Sequence, residues 1–183
     1  MATKQELRQL AIERRSARSD AEIRSAGSAI AGRASAFAVR AQTVAGFLST
    51  PTEPPTRRLL EVLIEAGCEV IVPVVAGERL DWARYTIGAD VRTTELGVEE
   101  PVGERLGEGA LAAADIVLVP ALLVDQTGNR LGRGRGYYDR ALATVTARTV
   151  AVVFDDELVE QLPVEDHDRR VGAVLRPAGL LEF

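Results

Sequence analysis

Short apolar runs rich in β-branched residues recur along this 183-residue chain, each set off from the next by a helical or glycine-rich stretch. Residues 68–75, 116–120 and 149–154 are of this kind, and residues 43–48 and 171–175 read the same way. A run that is apolar at nearly every position suits a strand buried on both faces, the usual condition of parallel strands under helical layers. The sequence therefore predicts an α/β fold: an open, mostly parallel sheet with helices on both faces. Residues 80–85 alternate and fit an edge strand. In such sheets ligands sit beyond the carboxyl ends of the strands, so the segments following the apolar runs are where chemistry is sought.

The helical stretches carry their own start and stop signals. Thr3-Lys4-Gln5-Glu6 and Ser19-Asp20-Ala21-Glu22 have capping-box spacing. They predict helices over about residues 4–17 and 20–38, with Leu7, Leu10 and Ala11, then Ile23, Ala26 and Ile30, at helical intervals. Pro51, Pro54 and Pro55 make residues 49–55 a loop. Thr56 opens a third helix through residue 66, with Leu59, Leu60, Leu63 and Ile64 on its buried face, and Gly67 ends it. Residues 86–109 read as a long connection, 110–114 and 156–161 as short helical pieces, 125–136 as a glycine-rich loop and 137–146 as a helix. No repeat or low-complexity linker divides the chain, so residues 1–183 are expected to form one domain.

Composition narrows the function classes. A net charge of −5 disfavours a large basic nucleic-acid surface. Cys68 is the only cysteine, which excludes an intramolecular disulfide framework and a multi-cysteine metal site. No apolar run approaches the about 18 residues that span a bilayer. Residues 1–18 lack an apolar signal core, and Glu6, Glu13, Asp20 and Glu22 argue against a transit peptide, so a cytoplasmic protein is expected. Lys4 is the sole lysine among 22 cationic residues. A codon bias toward arginine explains the ratio, and it makes a surviving point charge worth testing for function.

The densest chemical signal is Gly128-Asn129-Arg130-Leu131-Gly132-Arg133-Gly134-Arg135-Gly136-Tyr137-Tyr138-Asp139-Arg140. Glycines at alternate positions let backbone N–H groups approach an anion, a following helix start favours negative charge, and Arg130, Arg133 and Arg135 add forked donors. The stretch reads as a polyphosphate cradle, and it is neither the Walker nor the dinucleotide pattern. A loop that merely turns the chain has the same composition, as does an RNA-binding Arg-Gly segment. The flanking apolar elements speak against a disordered tail. Asp139 either joins Mg²⁺ beside bound phosphates or serves as a first-turn carboxylate paired with Arg140. Glu165-Asp166-His167-Asp168 either returns carboxylates to the ligand edge or forms a solvated acidic loop; the second is the commoner outcome, and His167 there is either a base or simply solvated. Glu53 follows the first strand at the same edge. Trp82 and Tyr85 offer aromatic surface to a flat ligand or, more commonly, pack in the core.

Arg130 through Arg140 resembles the signature loop of the 5-formyltetrahydrofolate cyclo-ligase (methenyltetrahydrofolate synthetase) family. Lys4 with Leu7-Arg8 is similar to that family's N-terminal Lys-x-x-Leu-Arg. Phe47-Leu48-Ser49 with Glu53 and Thr56, Gly97-Val98-Glu99-Glu100-Pro101, and Pro163 through His167-Asp168 resemble its other segments in the right order. The resemblance implies a fold related to the sugar-phosphate isomerase and CoA-transferase type, and a monomer. It implies ATP as co-substrate, Mg²⁺, and 5-formyltetrahydrofolate with or without a polyglutamate tail. By resemblance, Lys4 and Arg8 contact ATP phosphates, and Arg130, Leu131, Gly132, Arg133, Gly134, Arg135, Gly136, Tyr137 and Tyr138 wrap the nucleotide. Leu48 and Glu53 touch the folate, with Arg133 through Tyr137 facing both ligands; Asp139 and Asp168 hold Mg²⁺, and Lys4 and Arg133 are the catalytic cations. The implied reaction is an ATP-driven ring closure through phosphorylation of the formyl oxygen. It asks for placement and charge neutralisation and for no protein nucleophile.

Ala121 and Val124 depart from the glycine and the aromatic that relatives usually carry, and Arg133 stands where bacterial members often have an aromatic. Two other function classes fit the residues less well: a sugar-phosphate isomerase or transferase that binds phosphate without consuming ATP, and a non-catalytic binder of RNA or nucleotides whose affinity falls steeply with salt.

Overall fold

The computed structural model describes residues 2–35, 41–95, 97–165 and 168–183. Its first two helices start as their caps dictate. At α1 (Lys4–Ser16) the Thr3 hydroxyl accepts from the Glu6 N–H while the Glu6 carboxylate accepts from the Thr3 N–H, and Ser19 and Glu22 repeat the exchange at α2 (Asp20–Ala31). The second helix ends at Ala31, where glycine at position 32 weakens it, and so falls short of residue 38. Residues 36–40 lie outside the described residues.

Strand β1 (Thr43–Ala45) is shorter than expected. Gly46 bonds on to Ile71 O at 2.8 Å, but the chain then leaves the ladder to make the loop before α3 (Arg57–Glu65). Thr56 precedes α3 without capping it; its hydroxyl donates to Phe47 O instead, tying the two ends of that loop together. Gly67 terminates the helix with a φ of 94°, as its position predicted. Strands β2 (Glu69–Ala76) and β3 (Arg79–Tyr85) form the expected buried and edge pair.

The long connection is more ordered than its composition suggested. It contains a hairpin of β4 (Val91–Thr93) and β5 (Glu99–Pro101), and then a 3₁₀ turn over Glu108–Ala113. The buried Glu100 carboxylate accepts from the Val75 N–H at 2.8 Å and from Arg92 at 3.0 Å, which fastens this hairpin to β2. After β6 (Ile116–Pro120) the glycine-rich loop proves to begin as a hairpin of β7 (Leu123–Asp125) and β8 (Arg130–Leu131). Helix α4 (Tyr137–Ala141) continues as a 3₁₀ turn over Leu142–Thr144. Beyond β9 (Arg148–Val152), the expected helix at 156–161 is only a 3₁₀ turn, Asp155–Glu157, running into β10 (Leu158–Val159). The last apolar run becomes β11 (Ala173–Arg176), followed by an antiparallel β12 (Gly179–Glu182) that the sequence reading did not include.

These strands make a 7-stranded sheet in the order β12-β11-β9-β6-β1-β2-β3, parallel except at its two edges. Strand alternation sends Val44, Val70, Val72, Leu118, Val150 and Leu175 to one face, under Ile30 of α2 and Leu59, Leu60 and Leu63 of α3. The other face sends Ala45, Ile71, Trp82, Val117, Val119 and Val174 against Leu111, Leu142 and α4. Trp82 and Tyr85 are 0% and 2% exposed, so both are core residues rather than ligand surface. Helix α1 packs Leu7 and Ala11 on a separate 3-stranded sheet, β10-β7-β8, through Leu122, Leu123, Leu131 and Leu162. Among the described residues no helix is long and apolar enough to cross a membrane.

Asp125 organises that small sheet. Its buried carboxylate accepts from the Thr127 N–H and hydroxyl, from the Asn129 N–H and side-chain amide, and from the Leu162 N–H, at 2.8–3.1 Å. Burial pushes its pKa up, but these hydrogen bonds, led by Asn129, outweigh burial and hold it below the ordinary carboxylate value. A depressed pKa stabilises the fold above the unfolded value of about 3.9, and that contribution is lost as pH falls through the lower folded value. Asp125→Asn should cost about 1.5–3 kcal/mol at neutral pH, the scale of charge-assisted hydrogen bonds. In thermal unfolding followed from neutral to acid pH, the gap between wild type and variant should close; a gap independent of pH would contradict this role.

Candidate active site

Lys4, Arg8 and Ile12 recur every fourth residue, so one face of α1 looks into a cleft of about 1210 Å³. That exceeds the roughly 300–1,000 Å³ typical of a pocket for one small ligand. The cleft opens where strand order reverses. Strand β1 lies between β2 and β6, and the segments leaving the carboxyl ends of β1 and β6 both line it. The residues that the family resemblance assigns to the site all reach this one cleft: Lys4 and Arg8 from α1, Leu48 and Glu53 from the loop after β1, residues 130–139, and Asp168; Trp82 and Tyr85 do not line it.

The glycine loop is held from two sides. Arg8 Nε donates to Gly132 O at 2.9 Å. Gly134 has a φ of 93°, and a Cβ there would stand 3.4 Å from the Arg8 guanidinium carbon. Past Gly136 the chain enters α4, which is tied to the β2–β3 turn: Tyr137 donates from its hydroxyl to Gly77 O at 3.2 Å, and Arg140 donates to Glu78 O at 2.6 and 2.9 Å. Helix α4 has only 5 residues, so the expected helix-dipole contribution is small; charge at this wall comes from side chains.

Those side chains are already partnered within the cleft. Arg130, with 5% of its side chain exposed, pairs with Asp139 at 2.5 Å and donates to Arg169 O, so it braces the loop against the segment carrying Asp168. Asp139 therefore pairs with Arg130 and not with its neighbour Arg140. Lys4 Nζ lies 2.6 Å from Asp168 and 3.4 Å from Glu165, so Asp168 is drawn into the cleft while the Glu165 side chain stays largely exposed. Asp166 and His167 lie outside the described residues. Arg135 is exposed, and its carbonyl accepts from Arg140 at 2.9 Å.

Leu48 and Glu53 are 4% and 8% exposed. Glu53 Oε2 accepts from the Thr50 N–H at 2.8 Å, and Oε1 is approached by Arg133 Nε at 3.4 Å and by Arg15 Nη1 at 3.9 Å. Arg133 Nη2 also reaches the Thr50 hydroxyl at 3.3 Å. The Tyr138 hydroxyl is buried without a hydrogen-bond partner among the described residues. Burial, reinforced by the Glu53 charge and only partly offset by Arg130, pushes its pKa far up, so it stays a neutral donor. Sequence reasoning missed Thr50 and Arg15. For Arg15 a signal existed: residues 4, 8, 12 and 15 fall on one helical face.

The donor set also fits a hard cation. Two carboxylates, Asp139 and Asp168, line the cleft together with Lys4, Arg8 and the arginines of the glycine loop. Among the described residues no group of three or more metal-ligating side chains forms a closed cage. Mg²⁺ is usually held in this way, by one or two carboxylates together with substrate phosphates and water.

Comparison with known proteins agrees with this geometry. The profile of the 5-formyltetrahydrofolate cyclo-ligase family matches residues 1–177. The chain is 37% identical over 183 residues to a 5-formyltetrahydrofolate cyclo-ligase of Mycolicibacterium smegmatis, covering 96% of this chain and 94% of the relative. It is 35% identical over 152 residues to the enzyme of that name from Escherichia coli, covering 79% and 83%. The solved structure of 5,10-methenyltetrahydrofolate synthetase from Aquifex aeolicus superposes with a TM-score of 0.83 at 27% identity, over 98% of this chain and 92% of that one. With a signature loop, a cleft at the strand-order reversal and a family match along nearly its whole length, the chain belongs to the 5-formyltetrahydrofolate cyclo-ligase family.

Proposed function

We propose that this cleft holds ATP and 5-formyltetrahydrofolate side by side and closes the folate ring with the residues described above. The family's reaction is the ATP-dependent cyclisation of 5-formyltetrahydrofolate to 5,10-methenyltetrahydrofolate, and the chain is an enzyme of that kind. The observation that carries the site assignment is continuity. A cationic end, with Lys4, Arg8 and the 132–136 loop, runs without a break into an end lined by Leu48 and Glu53, and Arg133 lies at the junction. The cleft volume leaves room for more than one small ligand.

In this reading Lys4 and Arg8 bind phosphates, the loop amides follow them, and Tyr138 offers its unpartnered hydroxyl. Glu53 accepts from the donor edge of the pterin, and Leu48 packs against it. The formyl oxygen attacks the γ-phosphorus; the new O–P bond forms as the bond to the ADP oxygen breaks. The product is a phosphorylated iminium, whose carbon the second folate nitrogen attacks. The C–N bond forms, the C–O bond breaks, phosphate leaves with the oxygen, and the nitrogen's proton is released. Arg133, free to turn from Glu53 toward phosphate, follows the charge from reactant to leaving group. Asp139 and Asp168 would hold Mg²⁺, which when bound neutralises phosphate charge.

The test is an absorbance assay for 5,10-methenyltetrahydrofolate with 5-formyltetrahydrofolate, ATP and Mg²⁺ supplied together and separately. Product should form only with folate and ATP present, and should fall when Mg²⁺ is withdrawn. Phosphate release at full rate without folate would overturn the reading.

Two substitutions examine the nucleotide end. Gly134→Val places a branched side chain on a backbone with φ 93°, against Arg8, in the space a phosphate would enter. Calorimetry should find ATP binding abolished while the far-ultraviolet spectrum stays near wild type and melting falls only by the local backbone strain, about 1–3 kcal/mol; wild-type affinity would refute the cradle. Lys4→Ala removes a charge-assisted contact, so ATP use should weaken by about 10- to 100-fold. Melting should barely move, because such partly exposed pairs contribute about 1 kcal/mol or less. Lys4→Arg should fall between, since the planar fork does not replace a point charge. Equal ATP kinetics in wild type and Lys4→Ala would leave the lone lysine as a codon remnant.

A further inference from the structure

Arg15 is 1% exposed and sits beneath the cleft at the end of the α1 face that carries Lys4 and Arg8. Three of its donor directions are spent on structure. Nε and Nη2 fork onto Glu157 at 2.7 and 2.8 Å, and Nη2 also donates to Ala121 O at 2.6 Å. Its remaining nitrogen, Nη1, is buried, has no hydrogen-bond partner among the described residues, and points to within 3.9 Å of Glu53 Oε1. Leaving a buried donor of a charged group unpaired is costly, so a donor in this state calls for a physical reason.

Glu53 supplies that reason. Its Oε2 is fixed by the Thr50 N–H, whereas Oε1 is held loosely between two cations, Arg133 above at 3.4 Å and Arg15 below at 3.9 Å. Arg133 is 46% exposed at its side chain and can move; Arg15, clamped by Glu157 and Ala121, cannot. We propose that Arg15 is a positioning residue for the folate end of the cleft: it is the fixed counter-ion of Glu53, taking up Oε1 when Arg133 turns to phosphate, so that Glu53 keeps its place and charge against the pterin. A carboxylate with Arg133 as its sole cation would be left buried and unbalanced at that moment, and would follow Arg133 or turn away. The inference rests on the reading of Glu53 as a folate contact.

A double-mutant cycle separates this role from general support of the fold. Arg15→Lys keeps a positive charge but cannot fork onto Glu157 and reach Glu53 together. It should raise the KM for 5-formyltetrahydrofolate by about 10-fold, the scale of one lost charge-assisted contact, with the KM for ATP nearly unchanged. Glu53→Gln should raise the folate KM as well, and the double variant should be no worse than the more severe single one. Leu175→Ala, in the core away from the cleft, serves as a control that lowers melting without moving the folate KM. If Arg15→Lys does not fold, the Arg15→Met, Glu157→Met pair removes both buried charges at once, and the same cycle is run in that background. A folate KM unchanged by replacing Arg15, or effects of Arg15 and Glu53 that multiply, would overturn the inference while leaving the cleft assignment standing. A folate KM unchanged in Glu53→Gln would overturn the folate contact itself, and this inference with it.

Discussion

Charge gathered inside a partly buried cleft has to be balanced by the protein itself, because water reaches it poorly there. This constraint organises the site more than any single contact. Lys4 is balanced by Asp168, Arg130 by Asp139, and Arg133 by Glu53, which Arg15 approaches from below. Each pair joins a cation suited to phosphate with a carboxylate suited to a metal ion or to a donor on the substrate. In the function proposed above, a bound triphosphate with Mg²⁺ would present the same two charges in exchange, which would make the pairs pre-set partners for the ligands. The protein keeps its cations in position without leaving them unpaired.

The fold makes that exchange geometrically possible by bringing unrelated segments to one edge. Strand order reverses beside β1, so the loops after β1 and β6 diverge and leave a crevice between them. Helix α1 does not cover the main sheet. It packs on the small β10-β7-β8 sheet, and this sets its polar face along the crevice. Asp125 holds that small sheet's turn and Arg130 braces its last strand to the Asp168 segment, so one compact unit carries both the glycine loop and α1. The hairpin tied on by Glu100 brings Val98 and Glu99 to the same cleft from the far side of β2.

Much of this was legible in the sequence because it depends on local rules. The capping boxes at Thr3 and Ser19, the glycine stop at Gly67 and the apolar run at 116–120 each specify their element through neighbours a few residues away. The glycine-arginine loop stands out in the sequence because alternating Gly and Arg between two apolar elements suits a close approach to an anion, although the composition alone also fits a plain turn. What the sequence hid depends on distant partners. Residues 125–136 read as loop because β7 and β8 are a few residues each, and they persist only through Asp125 and the pairing of β10 with β7. Residues 156–161 read as helix, yet Glu157 is drawn to Arg15 and the chain extends to join β7. The pairing of Lys4 with Asp168, or of Arg130 with Asp139 rather than Arg140 with its neighbour, follows from tertiary placement that no spacing rule contains.

The two departures from the family pattern can be judged by the same standard of what each atom touches. Val124 is 0% exposed, lies in the core on the second face of the main sheet, and is absent from the cleft lining. Its backbone pairs with Arg130 and Leu158, so an aromatic or a valine there changes packing beneath the hairpin and leaves the ligand surface to others. Ala121 does line the cleft, but the atom the structure uses is its carbonyl, which receives Arg15 Nη2. Glycine would present the same carbonyl, so the added methyl group trims space at the cleft floor without touching the ion pairs. Shape selectivity and charge balance thus reside in different atoms of the same segment, and a chain can vary the first while preserving the second.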